Sequence, residues 1–171
     1  MITYKNWKFK KTKLNGVFEI IQTEFSDFRG KYIEIYNKEF FTKKKKKLNF
    51  LQDDISISKK NVLRGIHGDN KTWKLVRCIF GKIFLVVVNN NSKTSQYLKS
   101  QTFIVSDKNR KSILIPPKFG NGHLVLSKKC IFHYKQTTYY NFKSQFTLKW
   151  NDKRLKIKWP IQKPILSKRD T

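Results

Sequence analysis

Short apolar runs alternate with brief polar breaks along almost the whole chain. "GVFEIIQTEF" (16–25), "KYIEIYN" (31–37), "WKLVRCIF" (73–80), "KIFLVVVN" (82–89), "QTFIVS" (101–106), "SILIP" (112–116), "GHLVLS" (122–127), "CIFHYKQ" (130–136) and "FTLKW" (146–150) are rich in β-branched and aromatic residues. Gly, Asn, Ser, Lys or Pro divides them, and this pattern predicts strands. Many short strands joined by close turns imply a sandwich or a barrel. "IFGKIF" (79–84) predicts a tight hairpin, and "NKEFFTKKKKK" (37–47) a short helix with Phe40 and Phe41 on one face. The prolines and glycines of "LIPPKFGNGH" (114–123) predict a turn between strands at the mouth of a barrel. The closing segment from Trp150 has little periodicity and is expected to lie extended over the domain, carrying Asp170 near its end. With neither a fixed-period repeat nor a low-complexity linker, residues 1–171 read as a single β-domain.

Composition first points elsewhere. Lysine and arginine outnumber acids 38 to 11, a formal charge of +27, which attracts any polyanion. The lysines are spread along the chain, "KKKKK" at 43–47 being the one real cluster, and no zinc-finger spacing, RNP1-like segment or helix-turn-helix pattern accompanies them. Specific nucleic-acid binding is therefore not expected, and a non-catalytic polyanion-binding barrel is the distant alternative. Cys78 and Cys130 lie in apolar strand-like runs without CxxC spacing and read as reduced core residues. The N-terminus has no apolar run of signal-peptide type, and no stretch approaches the roughly 20 apolar residues that span a bilayer. The expectation is a soluble, cytoplasmic protein that does not engage a membrane.

The chemistry-bearing residues are few. His67 has no histidine two residues away, and His123 and His133 come without an obvious carboxylate partner, so no metal site is expected. Nucleophile-elbow, phosphate-loop and dinucleotide glycine motifs are absent, and "GNGH" lies between strands rather than opening a helix. What remains is a base, an acid and cations. An imidazole titrates near neutrality and suits proton abstraction if a neighbour holds it. Lys74 leads into the strand after His67, and if those two strands adjoin, its ammonium reaches the same cavity and can stabilise an oxyanion. In "CIFHYKQ", Phe132 and Tyr134 share a face and His133 takes the other. The residues alone leave open whether Tyr134 donates a proton or packs in a core.

The order of motifs resembles the dTDP-4-dehydrorhamnose 3,5-epimerase family of cupin barrels. The likeness runs through "FSDFRGKYIEIYN" (25–37), "FLQDDISIS" (50–58), "VLRGIHGD" (62–69), "KLVRCIFGKIFLVVV" (74–88), "LIPPKFGNGHLVLS" (114–127), "YKQTTYY" (134–140), "LKWNDKRLKIKWP" (148–160) and "ILSKRD" (165–170). It implies an all-β cupin fold, a double-stranded β-helix or jelly-roll barrel with short peripheral helices. It further implies an isomerase that needs neither metal nor cofactor, usually a homodimer whose partner completes the substrate site. By the same resemblance His67 is the general base, Asp170 the acid that orients it, Lys74 the group beside the keto oxygen and Tyr134 the proton donor across the ring. Arg29, Glu34, Gln52, Arg64 and Tyr140 fall where the family binds nucleotide, diphosphate or sugar.

Departures from the family pattern concern the pocket. "KFGNGH" stands for "GFAHGF", placing Asn121 at a histidine and His123 at an aromatic; "RGIHGD" places Asp69 at a glutamine, and Asp54 replaces a common asparagine. All four are carried as substrate-binding positions. The "HGD" and "GNGH" variants resemble the branch acting on GDP-linked 4-keto-6-deoxy-heptoses in capsular polysaccharide synthesis, so a GDP-linked heptose is the expected substrate, inverted at C3, C5 or both. A dTDP-4-keto-6-deoxy-glucose 3,5-epimerase and a sugar 3,4-ketoisomerase are the alternatives.

Overall fold

Extended segments account for nearly all regular structure in the computed structural model of the chain, which describes residues 2–4, 7–43 and 47–171. The strands are β1 (Ile2–Tyr4), β2 (Trp7–Lys11), β3 (Phe18–Ile21), β4 (Glu24–Asp27) and β5 (Gly30–Ile33), followed by the helix α1 (Lys38–Lys43). Then come β6 (Gln52–Lys59), β7 (Leu63–Gly68), β8 (Lys74–Phe80), β9 (Lys82–Asn89), β10 (Ser100–Ser106), β11 (Lys111–Ile115), β12 (Phe119–Val125), β13 (Lys129–Gln136) and β14 (Phe146–Thr147). A large sheet has the order β1-β2-β3-β11-β8-β13-β6, a smaller one β10-β9-β12-β7-β14, and β4 and β5 form a separate hairpin. The pairings within the sheets are antiparallel, which gives the two-sheet jelly roll of the cupin class. Residues 44–46 of the lysine cluster lie outside the described residues.

Apolar side chains fill three layers. Between the sheets, Val76, Cys78, Ile83, Leu85, Val87, Ile113, Ile115, Val125 and Phe132 form the main core. Outside the large sheet, α1 lays Phe40 and Phe41 over Trp7, Phe9, Ile20 and Leu114. Outside the small sheet, the chain from Leu148 to Trp159 covers Ile66, Val86 and Val88. This double covering explains "KIFLVVVN": Ile83, Leu85 and Val87 face the core while Val86 and Val88 face the C-terminal segment, so both faces of β9 are apolar. Burying each such side chain contributes roughly 1.5–3 kcal/mol. Cys78 and Cys130 are free thiols in the core, with sulfurs 3.6 Å apart.

Several local expectations change. "IFGKIF" is not a hairpin: β8 belongs to the large sheet and β9 to the small one, so Gly81, at φ 88°, turns the chain from one layer to the other. The run 16–25 breaks after Ile21, because the Gln22 side chain turns inward to donate to Ser112 Oγ at 2.9 Å. Strands β1, β2, β6 and β7 fall outside the predicted runs. In β6 the polar residues Gln52, Asp54 and Ser56 line a cavity, while Ile55 and Ile57 point outward and are 60% and 56% exposed. That arrangement inverts the ordinary amphipathic strand. Among the described residues no helix is long and apolar enough to cross a membrane.

One glycine fixes the spacing on which the cavity depends. Gly65, at φ 108°, lies so near β12 that a Cβ there would meet Asn121 O and Gly122 Cα at 2.6 Å. Only a residue without a side chain lets β7 approach β12 this closely and bring His67 into register with Asn121. Gly65→Ala is expected to lose about 2–4 kcal/mol of stability, measured by urea unfolding; a wild-type midpoint in that variant contradicts the close-approach argument.

Candidate active site

A cavity of ≈ 380 Å³ opens between the two sheets. The large sheet supplies Gln52, Asp54 and Ser56 from β6, Lys74 and Val76 from β8, and Phe132, Tyr134 and Gln136 from β13. The small sheet supplies Arg64 and His67 from β7 and Asn121 and His123 from β12. Tyr140 and Gln145 from the loop after β13, and Ser167, Arg169 and Asp170 from the tail, close the rim. Strand alternation produces this lining: Gln52, Asp54 and Ser56 pair in register with Gln136, Tyr134 and Phe132, so every second residue of both strands faces inward.

His67 and Asp170 meet although 103 residues separate them, with Nε2 at 2.7 Å from Oδ1. The tail reaches this point because Ile165 bridges beside Val62, and its backbone exchanges hydrogen bonds with Asn61 and Leu63. Asp170 is 5% exposed, and its second oxygen accepts from Ser167 Oγ at 2.8 Å. An ionised carboxylate acts only as an acceptor, so the imidazole donates from Nε2 and keeps its lone pair on Nδ1. Burial pushes His67 below its ordinary range, and Arg169 and Lys74 push the same way against the upward pull of Asp170.

Lys74 arrives by a route that adjoining strands do not describe. β7 and β8 belong to different sheets, so His67 and Lys74 face the cavity from opposing layers. Lys74 is 8% exposed; burial lowers its pKa, Asp69 opposes that shift and Arg169 reinforces it. Tyr134 stands on the large sheet, opposite His67. Burial raises its phenol, with the charges of Asp54 and Tyr140 adding to the effect, so it keeps its proton at neutral pH. Asp54 accepts from Gln52 Nε2 at 2.8 Å and from Gln136 Nε2 at 3.0 Å, and Gln52 Oε1 accepts from the Tyr140 N–H at 2.7 Å. His133 faces the other side of its strand, with Nε2 3.4 Å from Asp53, a carboxylate partner that the sequence did not reveal.

Of the expected substrate positions, Gln52, Asp54, Arg64, Asn121, His123 and Tyr140 line the cavity, and Arg29, Glu34 and Asp69 do not. Arg29 sits on the β4–β5 hairpin and grips Asp27 at 2.6 Å, with its side chain 77% exposed. Glu34 accepts from Asn37 Nδ2 at 2.9 Å. Asp69 is consumed by its own loop, accepting from the backbone N–H groups of Lys71 and Thr72 at 2.8 and 2.7 Å and from Gln145 Nε2 at 3.0 Å. It bears on the cavity through Gln145 and through the ammonium of Lys74. Sequence reasoning passed over Arg169, Gln136, Gln145 and Ser56. Gln136 and Ser56 were legible from alternation, being two residues beyond Tyr134 and Asp54. Among the described residues no cluster of three or more His, Cys, Asp or Glu gathers.

Comparison with known proteins follows the same lines. The family model for dTDP-4-dehydrorhamnose 3,5-epimerase matches residues 11–171. A dTDP-4-dehydrorhamnose 3,5-epimerase of Salmonella typhimurium is 38% identical over 165 residues, which covers 94% of this chain and 90% of the relative. The crystal structure of a dTDP-6-deoxy-D-glucose-3,5-epimerase from Legionella pneumophila, in complex with dTDP-4-keto-L-rhamnose, superposes with a TM-score of 0.91 at 30% identity, covering 96% of this chain and 89% of that one. A dTDP-4-dehydrorhamnose 3,5-epimerase from Bacillus anthracis with TDP and PPi bound gives the same TM-score, 0.91, at 30% identity and covers 96% of each chain.

His123 gives the cavity wall a pH-dependent stability. Its ring stacks on Phe132 with centroids 4.2 Å apart, its Nε2 has no hydrogen-bond partner, and burial followed by the charge of Arg64 lowers its pKa to about 3. The unfolded chain protonates this imidazole near 6.5 and the folded one does not, so the unfolded state gains protons first as pH falls. Stability is therefore expected to decline below about pH 6.5 and to keep falling toward pH 3, by a few kcal/mol from this residue. In urea unfolding at pH 7 and 4.5, His123→Phe should lose less stability than the wild type; equal losses contradict the assignment.

Proposed function

This chain belongs to the dTDP-4-dehydrorhamnose 3,5-epimerase family, and we propose that it inverts C3 and C5 of a dTDP-linked 4-keto-6-deoxy-glucose by proton removal and return. That it is an epimerase follows from the family and from its named relatives. The dTDP-linked reading replaces the GDP-linked heptose expected from "HGD" and "GNGH". Relatives that span most of this chain carry dTDP in their names, and none of those compared supports a GDP-linked or capsular role. The observation that carries the mechanism is the placement of His67 and Tyr134 on opposing walls of one cavity.

A ketone at C4 acidifies the hydrogens on C3 and C5, because losing either leaves an enolate delocalised onto the oxygen. His67, with Nε2–H held by Asp170, accepts the proton at Nδ1 from one face of the ring. Lys74, buried and with the charge of Asp69 acting to hold its proton, stabilises the oxyanion. Tyr134 delivers a proton to the opposite face, and the configuration inverts. The carbon regains what it lost, so the sequence balances without an external electron acceptor. Arg64 places positive charge at the cavity for the diphosphate.

The reading includes a homodimer acting in the cytoplasm. The β4–β5 hairpin that carries Arg29 also exposes Phe25, Phe28 and Tyr32 at 57%, 97% and 68%. Aromatic area of this extent supports a second copy as its cover.

Solvent deuterium tests the roles of the two walls. With dTDP-4-keto-6-deoxy-glucose in deuterated buffer, His67→Asn should lose exchange at C3 and C5 by roughly 10²–10⁴-fold, while Tyr134→Phe should retain some exchange without inversion. Full exchange in the first variant or full epimerisation in the second contradicts the assignment. Movement of the carbonyl along the ring, read by product NMR, would replace it with ketoisomerisation.

A further inference from the structure

Arg169 makes three contacts at the rim of the site. Its Nε donates to Thr147 Oγ1 and its Nη1 to Tyr140 Oη, both at 3.4 Å, and its guanidinium lies 5.0 Å from the centroid of the Phe142 ring. Thr147 is the register partner of His67 across the β14–β7 ladder, so the anchor of the arginine and the imidazole are neighbours on one sheet. The next residue, Asp170, holds His67 Nε2. A two-residue stretch of tail thus brings the imidazole one negative and one positive charge.

Burial of His67 already disfavours imidazolium, a form with no lone pair left to take a proton, while Asp170 pulls toward it. We infer that Arg169 is a positioning residue for the base: held at Thr147, Tyr140 and Phe142, it sets a positive charge beside His67 that offsets the pull of Asp170 and helps keep the ring in its proton-accepting form. This inference rests on the reading of His67 as the base. It assigns the tail two opposed tasks, orientation by Asp170 and charge balance by Arg169.

The other charged and titratable groups around the cavity do not supply that balance. Lys74 on β8 acts in the same sense as Arg169 but stands second to it, and its charge is offset by Asp69. Arg64 on β7 turns to Ser58, to which its Nε donates at 3.0 Å. Asp54 on β6 is held by Gln52 and Gln136. On β13, burial raises the Tyr134 phenol, so it stays neutral at neutral pH, and Tyr140 in the loop after it accepts from Arg169 Nη1. On β12, His123 is held uncharged by burial.

The chain has three histidines, so the His67 imidazole can be followed by NMR in the free protein and identified by its disappearance in His67→Asn. Arg169→Gln removes the charge, and Arg169→Lys keeps it while giving up the fork. The titration midpoint of His67 is expected to move upward in Arg169→Gln, and the acidic limb of kcat/KM with it, whereas Arg169→Lys should stay near the wild type on both. An unchanged midpoint in Arg169→Gln overturns the inference, as does an equal shift in both variants, which would mark a purely structural clamp. The NMR titration needs no substrate, so it succeeds or fails independently of the proposed reaction; a fold check by thermal melting accompanies each variant.

Discussion

The hydrogen bond of 2.7 Å between His67 Nε2 and Asp170 Oδ1 joins an inner strand to the end of the chain, and the site exists only where that contact is made. No local preference brings these residues together. The contact depends on the C-terminal segment lying across the small sheet, where Leu148, Leu155, Ile157 and Trp159 cover Ile66, Val86 and Val88. It depends also on Ile165 adding a bridge beside Val62. The hydrophobic layer that stabilises the outer face of the barrel is thus the same layer that delivers the carboxylate. Ser167 then fixes the second carboxylate oxygen, so the imidazole meets an acceptor whose rotation is already restricted.

Around this contact the barrel departs from ordinary strand polarity. A jelly roll normally turns apolar residues inward, yet β6 turns Gln52, Asp54 and Ser56 inward and leaves Ile55 and Ile57 in the open. Unpaired polar groups in such a place would be costly. Most are paired here: Asp54 is shared by two glutamines, and Gln52 also receives the Tyr140 N–H. The resulting slot has one layer carrying the imidazole and the other carrying the ammonium and the phenol.

How far the sequence disclosed this varies with the kind of interaction. Both-face burial made β8 and β9 plain, and alternation in β13 correctly set Tyr134 and His133 on opposite faces. The inverted polarity of β6 concealed that strand, because its inward residues line a cavity rather than a core. Gly81 predicts a hairpin turn because a turn within a sheet and a turn between sheets share the same local chemistry; only the long-range pairing of β8 with β13 and β9 with β12 separates them. For the same reason Lys74 reaches His67 across the cavity rather than along a ladder. The family pattern puts Asp69 at a pocket position, but an Asp followed by a tight polar loop serves that loop's N–H groups. Arg169 went unnoticed because one cation among 38 basic residues carries no signal until its anchors are seen.

The central claim is that a carboxylate brought from the chain end makes His67 a base, and replacing that carboxylate by its uncharged isostere tests it most directly. Asp170→Asn keeps the shape and the bond to Ser167 but removes the negative charge and can present an N–H where His67 needs an acceptor. Deuterium exchange at C3 of the 4-keto sugar, measured for this variant under single-turnover conditions, is predicted to slow by roughly 10²–10⁴-fold, with the melting temperature close to that of the wild type. Exchange at the wild-type rate in a folded Asp170→Asn protein would contradict the account.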